Sequence, residues 1–299
     1  MSGNGDGPLV HLIDAPVYVF RAYHSLPPLE APDGAPVGAA YGFASTLLKY
    51  LTDTAATHAA AAFDFSQESF RNVLEPAYKA QRGDPPPDLE AQFALCAELC
   101  EALGVPAFEA PGFEADDVIA TLVQSLLREG ARVRVVTSDK DLAQLVREDG
   151  RVVLHDLARG ATLDADGVRA RYGVDPDRIP DWLGLVGDSV DNLPGVPGVG
   201  PRGAAAALAA FGRIEAVPAD PGAWPATGLR GVGRLAGLIE AHRARALRTR
   251  ALATLVREVP GLPVGAEPLR YRGADRARTL PLFERLGWGR IATRIPRWS

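Results

Sequence analysis

Residues 132–141 read RVRVVTSDKD, and this stretch decides the fold. Its alternating valines predict a buried β-strand that ends just before Asp139. Two earlier apolar runs, LVHLI near the start of the chain and AAAAF near residue 60, end in the same way at Asp14 and Asp64. Because ligands bind at the carboxyl ends of the strands in open α/β sheets, we expect these three aspartates to lie together at one sheet edge.

The remaining pattern predicts helices between the strands and then a helical second part. Helical apolar spacing recurs between the predicted strands, and strand patterns stop near residue 175. A long Arg-rich helix is expected near residues 235–256. We therefore predict an α/β domain with a mostly parallel central sheet over residues 1–175 and a helical subdomain over residues 176–299.

Charge is divided unevenly along the chain. The formal net charge of the 299 residues is −5, which by itself argues against a nucleic-acid-binding protein. Residues 1–191, however, carry 15 basic and 30 acidic side chains, whereas residues 192–299 carry 17 and 7. This asymmetry predicts a polyanion-binding segment beside an acidic one.

The composition excludes several classes of protein. A hydrophobic fraction of 47% is enough for a globular core. The two cysteines are too few for a disulfide scaffold or a Cys-rich zinc site and fit a reducing compartment. The sequence has neither an apolar run of membrane-spanning length nor a secretory signal. We expect a cytoplasmic protein that is a monomer and does not bind membranes.

Further carboxylates form short clusters. They are Glu114, Asp116 and Asp117 at the predicted start of a helix, Asp141 two residues after Asp139, and Asp188 and Asp191 at a helix–loop junction. Each cluster taken alone has a simpler explanation, because acids stabilise helix N-termini and aspartates cap helices and begin turns. Their joint pattern favours a metal site, and all-oxygen ligands favour Mg²⁺ or Mn²⁺. Two such ions about 4 Å apart can promote phosphodiester hydrolysis.

A glycine-rich segment follows the last of these acids. Residues 195–203 read GVPGVGPRG, which matches the pattern GxGxxG, but no strand precedes it, so a dinucleotide site is disfavoured. A glycine turn between helices can instead present backbone N–H groups to a phosphate. A structural turn beside a solvated basic helix is the alternative. The positive surface that phosphate binding needs would come from Arg202, Arg243, Arg245, Arg248 and Arg250.

In their order along the chain, these segments resemble the 5′-nuclease family, which comprises the 5′→3′ exonuclease domain of bacterial DNA polymerase I, phage 5′ nucleases and flap endonucleases. The matching segments are LID and FRAYH at 12–14 and 20–24, FD and FR at 63–64 and 70–71, YKAQR at 78–82, FEADD at 113–117, TSDKDL at 137–142 and GDSVDN at 187–192. The resemblance implies a PIN-like α/β core with a C-terminal helix–three-turn–helix subdomain.

The resemblance also implies a role for individual residues. The metal acids would be Asp14, Asp64, Glu114, Asp116, Asp117, Asp139, Asp141, Asp188 and Asp191. Of these, Asp14 and the three acids of residues 114–117 favour one ion, and the four acids from Asp139 onward favour the second. A helical arch around residues 67–90 would carry Arg71, Tyr78, Lys79 and Arg82, whose basic members hold the scissile phosphate. Duplex phosphates, and in many members a K⁺ ion, would be bound by the loop residues Gly195, Gly198, Val199, Gly200 and Arg202.

The activity implied is a 5′ nuclease that requires two Mg²⁺ or Mn²⁺ ions and acts on DNA with a free 5′ end or a 5′ flap. The sequence ends at Ser299, so we expect a stand-alone enzyme whose work pairs with that of a DNA polymerase. Two alternatives stay open: a structure-specific DNA-binding protein with a weak or vestigial nuclease site, and a PIN-type ribonuclease. Departures from the family pattern include Ser138 in place of glycine and three prolines at 85–87, which leave the shape of the arch open.

Overall fold

The computed structural model describes residues 7–66, 68–83, 85–226 and 229–299, so residues 67 and 84 of the predicted arch lie outside the described residues. The strands are β1 (Leu9–Asp14), β2 (Ala59–Ala62), β3 (Ala107–Phe108), β4 (Arg132–Val136), β5 (Val152–Asp156), β6 (Ala161–Leu163), β7 (Gly187–Asp188) and β8 (Leu193–Pro194). The α-helices are α1 (Ala15–Ser25), α2 (Gly38–Thr54), α3 (Phe70–Leu74), α4 (Pro87–Ala102), α5 (Ala115–Arg128), α6 (Ala165–Tyr172), α7 (Ile179–Val186), α8 (Pro201–Phe211), α9 (Val232–Ala241), α10 (Arg243–Ala253) and α11 (Arg276–Arg285).

Six strands form the central sheet, in the order β3-β2-β1-β4-β5-β6. Every neighbouring pair is parallel except β5 with β6, so the predicted, mostly parallel α/β sheet is confirmed. The chain places β2 and β3 on one side of β1 and then crosses to β4 on the other side. The carboxyl ends of β1 and β4 therefore flank the topological switch point, which is where such sheets bind ligands.

Apolar layers cover both faces of the sheet. Leu12 and Ile13 are neighbours on β1 and enter opposite layers, as the alternation of side chains along a strand requires. One layer contains the fully buried Phe43 and Leu48 of α2, and the other contains Ile119 of α5 together with residues of the helical second half. The sheet is thus held rigidly from both sides, which fixes the edge that carries the acids.

The second half of the chain is helical, but its Arg-rich helix is divided. The prediction of one helix near residues 235–256 is wrong, because α9 and α10 meet at His242, whose φ of −119° and ψ of 14° interrupt the helix. Helix α10 packs closely on α7 at Gly184, where a Cβ atom would lie 2.6 Å from the carbonyl oxygen of Ala246. Within the described ranges, no helix combines the length and apolar character needed to cross a membrane.

The end of the chain returns to the α/β layer. The N–H of Tyr271 donates to the carbonyl oxygen of Thr57 at 2.9 Å, and the Oγ1 of Thr279 donates to the carbonyl oxygen of Ala102 at 2.7 Å. Helix α11 buries Phe283 in the same apolar layer as α2 and α4. The C-terminal residues therefore pack on the first half of the chain.

Candidate metal centre and nucleic-acid interface

The centre of the candidate site is the carboxyl end of β1. Asp14 ends this strand, is 3% exposed, and accepts a hydrogen bond of 2.6 Å from Thr137 Oγ1. Burial, with the nearby carboxylates of Asp139 and Asp64, raises the pKa of Asp14 to about 7, against the lowering effect of the Thr137 bond. Buried carboxylates that repel one another are stabilised by a cation, so this edge of the sheet is suited to a metal ion.

The start of α5 brings further carboxylates to the same edge. Glu114 is the N-cap of this helix, and Asp116 lies in its first turn. Burial and the charges of Asp139 and Asp14 raise the pKa of Asp116 well above its ordinary value. Asp64 is held beside them, because its Oδ1 accepts the first N–H of α5 at 2.8 Å. Acids from β1, from the start of α5 and from the loops after β2 and β4 therefore converge at this edge.

Glu114 differs from its neighbours because donors surround it. Its carboxylate accepts Ser69 Oγ at 2.7 Å, Lys79 Nζ at 2.5 Å and the hydroxyl of Tyr78 at 3.2 Å. Burial alone would raise the pKa of Glu114, but the charges of Lys79 and Arg71 hold it below its ordinary value. Glu114 is therefore ionised at neutral pH and can exchange these donors for a metal ion.

A second group of carboxylates lies close by. One oxygen each from Asp141, Asp188 and Asp191 lies within 4.8 Å of the other two. Asp141 Oδ1 is buried, and it has no hydrogen-bond partner among the residues that the structure describes. Burial, followed by the charges of Asp139 and the other two acids, raises the pKa of Asp141 well above its ordinary value. An unpartnered buried oxygen beside two more carboxylates fits a divalent cation with oxygen ligands.

Two glycines shape the loop that carries Asp188 and Asp191. Gly187 has a φ of +80°, and Gly195 packs so closely on this turn that a Cβ atom on it would lie 2.3 Å from the carbonyl carbon of Val186. This approach closes the β7–β8 hairpin, and a larger residue would force it open. Gly195, which the resemblance assigns to phosphate binding, has a packing role in this structure.

Besides Arg71, three basic side chains pair with the clustered acids. Lys140 Nζ lies 2.6 Å from Asp188 Oδ2, and Arg82 Nη2 contacts Asp191 Oδ1. The third is the ion pair between Lys79 and Glu114 that was described above. The cluster therefore contains both the acids that could hold ions and cations that offset part of their charge.

The segment predicted as a helical arch is not a continuous helix in the described residues. Its helical parts are the five-residue helix α3, a 3-10 turn at Ala80–Arg82 and the first residues of α4. Lys79, between α3 and the 3-10 turn, has a left-handed φ of 54°, and its N–H donates to the carbonyl oxygen of Asp191 at 3.0 Å. The side chain of Asn192 donates to the carbonyl oxygen of Ala77 at 2.7 Å. The segment therefore lies against the acid-bearing loop 188–192.

Arg71 and Asp117 form a buried ion pair with each other. Their side chains are 2% and 0% exposed, and two N···O contacts of 2.6 and 2.8 Å join them. Arg71 also donates to the carbonyl oxygens of Leu252 and Thr254, and Asp117 Oδ1 accepts the N–H of Val256. Both carboxylate oxygens of Asp117 are thus engaged, and the guanidinium of Arg71 is directed away from solvent. The pair fastens α5 to the end of α10, and Arg71 Nη1 also lies 3.6 Å from Glu114 Oε1.

The glycine loop ends at the start of α8. Gly200 is the N-cap of this helix, and a Cβ atom on it would meet no atom within 4 Å. Gly198 has a φ of +81°, and Arg202 is exposed in the first turn of the helix. Val199, by contrast, is 6% exposed and belongs to the core. The loop therefore presents its backbone and one guanidinium to solvent, while Val199 anchors it.

The four arginines of α10 are not equivalent. Arg245 and Arg248 are exposed. Arg243 donates to two backbone carbonyl oxygens, and Arg250 forms ion pairs with two acidic side chains. The positive surface of this helix is therefore smaller than the sequence predicts.

Sequence reasoning overlooked three side chains that contact the clustered acids, namely Ser69, Thr137 and Lys140. A signal existed for Ser69, because Asn72 stands three residues later and the two form a reciprocal helix cap. Thr137 and Lys140 lie in the segment TSDKDL that resembles the 5′-nuclease family, but the resemblance assigns roles only to the two aspartates of this segment.

Comparison with protein families gives two matches that together span most of the chain. Residues 9–173 match the model described as 5′-3′ exonuclease, N-terminal resolvase-like domain, and residues 174–277 match 5′-3′ exonuclease, C-terminal SAM fold. DNA polymerase I of Bacillus caldotenax is 36% identical over 282 residues, covering 93% of this chain and 31% of that protein. DNA polymerase I of Pseudomonas aeruginosa is 40% identical over 280 residues, covering 93% and 30%. The chain thus spans under a third of the length of these curated relatives.

Solved structures share the fold at lower identity. The bacteriophage T5 5′-exonuclease with bound zinc superposes with a TM-score of 0.67 at 21% identity, covering 83% of this chain and 90% of that one. The T5 flap endonuclease in a pseudo-enzyme–product complex with DNA and metal ions gives 0.65 at 20% identity, covering 83% and 89%. The catalytic core of Rad2 in complex with a DNA substrate gives 0.55 at 15% identity, covering 95% and 89%.

The two family matches run without a gap from residue 9 to residue 277. The clustered acids lie at the switch point of the central sheet, whose strands fall within the first match. The chain therefore belongs to the 5′-3′ exonuclease family.

Proposed function

We propose that this protein hydrolyses DNA phosphodiesters at a free 5′ end or at a 5′ flap and requires two divalent metal ions. The observation that carries the proposal is that two clusters of carboxylates lie at the switch point of the sheet. The second cluster contains Asp141, whose buried Oδ1 has no hydrogen-bond partner among the described residues. A vestigial site would have no reason to keep so many mutually repelling acids. Family membership supports the same reaction class.

Eight acids would hold the two ions. Those of the first group are Asp14, Asp64, Glu114 and Asp116, and those of the second are Asp139, Asp141, Asp188 and Asp191. Their all-oxygen character favours Mg²⁺ or Mn²⁺ over zinc. When bound, two such ions supply Lewis-acid chemistry that favours ionisation of water and stabilises charge on the leaving oxygen.

The basic residues beside the acids would bind the scissile phosphate. Lys79 and Arg82 lie on the segment that covers the acid cluster, and each already contacts one of its carboxylates. Their charges would offset the charge that develops on the phosphate in the transition state. Tyr78 is 3% exposed, and its hydroxyl lies 3.2 Å from one carboxylate oxygen each of Glu114 and Asp191, so it would fix the base of this segment.

The second half of the chain would grip the duplex. Backbone N–H groups near Gly198 and Gly200 and the guanidinium of Arg202 can contact phosphates without reading base sequence. Arg245 and Arg248 extend the positive surface. Relatives in the fold, the T5 flap endonuclease and Rad2, have been solved with DNA, which supports the substrate class. A K⁺ ion on the loop carbonyls stays a prediction.

A labelled 5′-flap substrate tests the proposal. With Mg²⁺ the purified protein should release short 5′ products whose length reports the cleavage position, and EDTA should stop the reaction. Asp139→Asn should abolish cleavage and retain DNA binding, while the exposed control Asp53→Asn should cleave normally. Binding without Mg²⁺-dependent cleavage would show a structure-specific binding protein, and preferential cleavage of a matched RNA flap would show a ribonuclease.

Cellular context follows from the proposed substrate. A 5′ nuclease acting on chromosomal DNA would work at the nucleoid and remove 5′ strands ahead of a DNA polymerase. Support comes from the curated relatives, in which a homologous segment belongs to DNA polymerase I. We propose that the chain acts as a monomer. Sedimentation of the purified protein with and without flap DNA would test this, and a stable dimer would contradict it.

A further inference from the structure

Thr137 connects the two acid groups through its side-chain hydroxyl. It follows β4 directly and is 1% exposed. Its Oγ1 donates to Asp14 Oδ2 at 2.6 Å and accepts the backbone N–H of Asp139 at 2.9 Å. A backbone N–H can only donate, so the single hydroxyl proton is directed at Asp14. The two bonds therefore fix the hydroxyl in one orientation.

The connection continues into the second group. Asp139 Oδ1 accepts the N–H of Asp141 at 2.8 Å, and Asp141 is the aspartate whose Oδ1 has no partner among the described residues. The backbone N–H of Thr137 donates to the carbonyl oxygen of His155 on β5 at 3.0 Å, which fixes the start of this chain of bonds to the sheet. A displacement of Thr137 would thus change the distance between Asp14 and the acids of the second group.

We propose that Thr137 is a positioning residue that sets the spacing of Asp14 and Asp139 so that both acid groups can bind divalent ions. The inference rests on the proposed metal-dependent function. The hydroxyl fixes Oδ2 of Asp14, and it holds the backbone N–H of Asp139 two residues further along the chain. Residues that orient metal ligands typically change metal affinity about 10- to 100-fold when they are replaced.

Variants at residue 137 separate the hydroxyl from the packing. Thr137→Val keeps the shape and removes the donor and the acceptor, whereas Thr137→Ser keeps both. Mn²⁺ alone, titrated calorimetrically into the metal-free protein, should bind about tenfold or more weakly to Thr137→Val and within about twofold of wild type to Thr137→Ser. Ser138→Ala removes a hydroxyl from the exposed neighbour and should bind as wild type does. The Mg²⁺ concentration for half-maximal flap cleavage should shift in the same order.

Each outcome of this titration decides something. Equal Mn²⁺ affinity of Thr137→Val and wild type would overturn the inference and leave the proposed function intact, whereas failure of wild type to bind Mn²⁺ would overturn the proposed metal centre itself. If Thr137→Val does not fold, Thr137→Cys retains the size with a weaker donor and should show an intermediate loss. A purely structural role would lower the Tm of the variants without changing Mn²⁺ affinity in the folded protein.

Discussion

Asp116 and Asp117 are adjacent acids that the structure predicts to have opposite effects on stability when each is replaced by asparagine. Asp117 is fully buried, forms a two-point ion pair with Arg71 and accepts the backbone N–H groups of Val256 and Glu114. The substitution Asp117→Asn would remove the two-point counter-charge of the buried guanidinium and leave Glu114, 3.6 Å away, as its remaining acidic partner. Breaking a buried ion pair by removing one partner costs about 3–5 kcal/mol, and we expect the lower end because the amide keeps one acceptor oxygen.

The corresponding change in Tm can be worked out for the metal-free protein. A loss of about 3 kcal/mol lowers the Tm of domains of about 150–250 residues by roughly 6–12 °C. Asp116 should behave differently, because burial and the charges of Asp139 and Asp14 already disfavour its ionised form. Removing that charge relieves repulsion, so Asp116→Asn should leave the metal-free Tm unchanged or raise it.

Differential scanning calorimetry with EDTA and then with Mg²⁺ measures both effects. A ligand that binds only the folded state raises the Tm, so wild type and Asp117→Asn should both be stabilised by Mg²⁺, and Asp116→Asn much less. Asp116→Asn should also lose cleavage. An unchanged metal-free Tm for Asp117→Asn, together with loss of its Mg²⁺ response, would refute the reasoning and restore Asp117 to the metal ligands.

Three further predictions concern other parts of the molecule. His11 is buried against the hydroxyl of Tyr50, and burial, followed by the charge of Arg134, lowers its pKa from 6.5 to about 4. Because the unfolded chain takes up this proton first, the free energy of unfolding should fall by roughly 3 kcal/mol as the pH falls from 6.5 to 4. Urea titrations at both pH values should show that His11→Phe lacks this part of the pH dependence. Gly195→Ala should destabilise the protein by about 1–3 kcal/mol, whereas Gly200→Ala should melt with wild type, and equal Tm values would contradict the assigned packing role. Arg202→Ala should weaken DNA binding in EDTA and reduce the slope of log affinity against log salt concentration by about 1, because one phosphate contact is lost. Fluorescence anisotropy measures this slope, and the control Arg285→Ala should leave it unchanged.

The sequence predicts the sheet and its acid-bearing edge because both depend on local patterns. Apolar runs that end in aspartate identify β1, β2 and β4, and parallel pairing then brings their carboxyl ends together. The ion pair of Asp117 with Arg71 could not be predicted in the same way. Successive residues of a helix point about 100° apart, so Asp116 and Asp117 face different surroundings although they are neighbours in the chain. Which of them faces the edge depends on how α5 packs.

Long-range partners account for the other differences. Arg71 is basic and lies close in sequence to the other basic residues of the segment, but its counter-charge is on α5 and its remaining acceptors lie at the end of α10 and just beyond it. The same holds for Arg243 and Arg250, whose partners lie on loops and helices elsewhere in the second half. A side chain that pairs across the fold cannot be distinguished from a free one by its position in the sequence.

The distribution of ion pairs explains why the acidic net charge was a poor guide to the substrate. Of the eight acids in the proposed site, Glu114, Asp188 and Asp191 have basic partners within the described residues. The other five are Asp14, Asp64, Asp116, Asp139 and Asp141, and two divalent ions would bring a charge of +4 to them. Such a site would be nearly neutral when it meets a phosphate, so its acids would not repel DNA from the basic second half. Charge summed over a chain tests for nucleic-acid binding only when the acids are not themselves metal ligands.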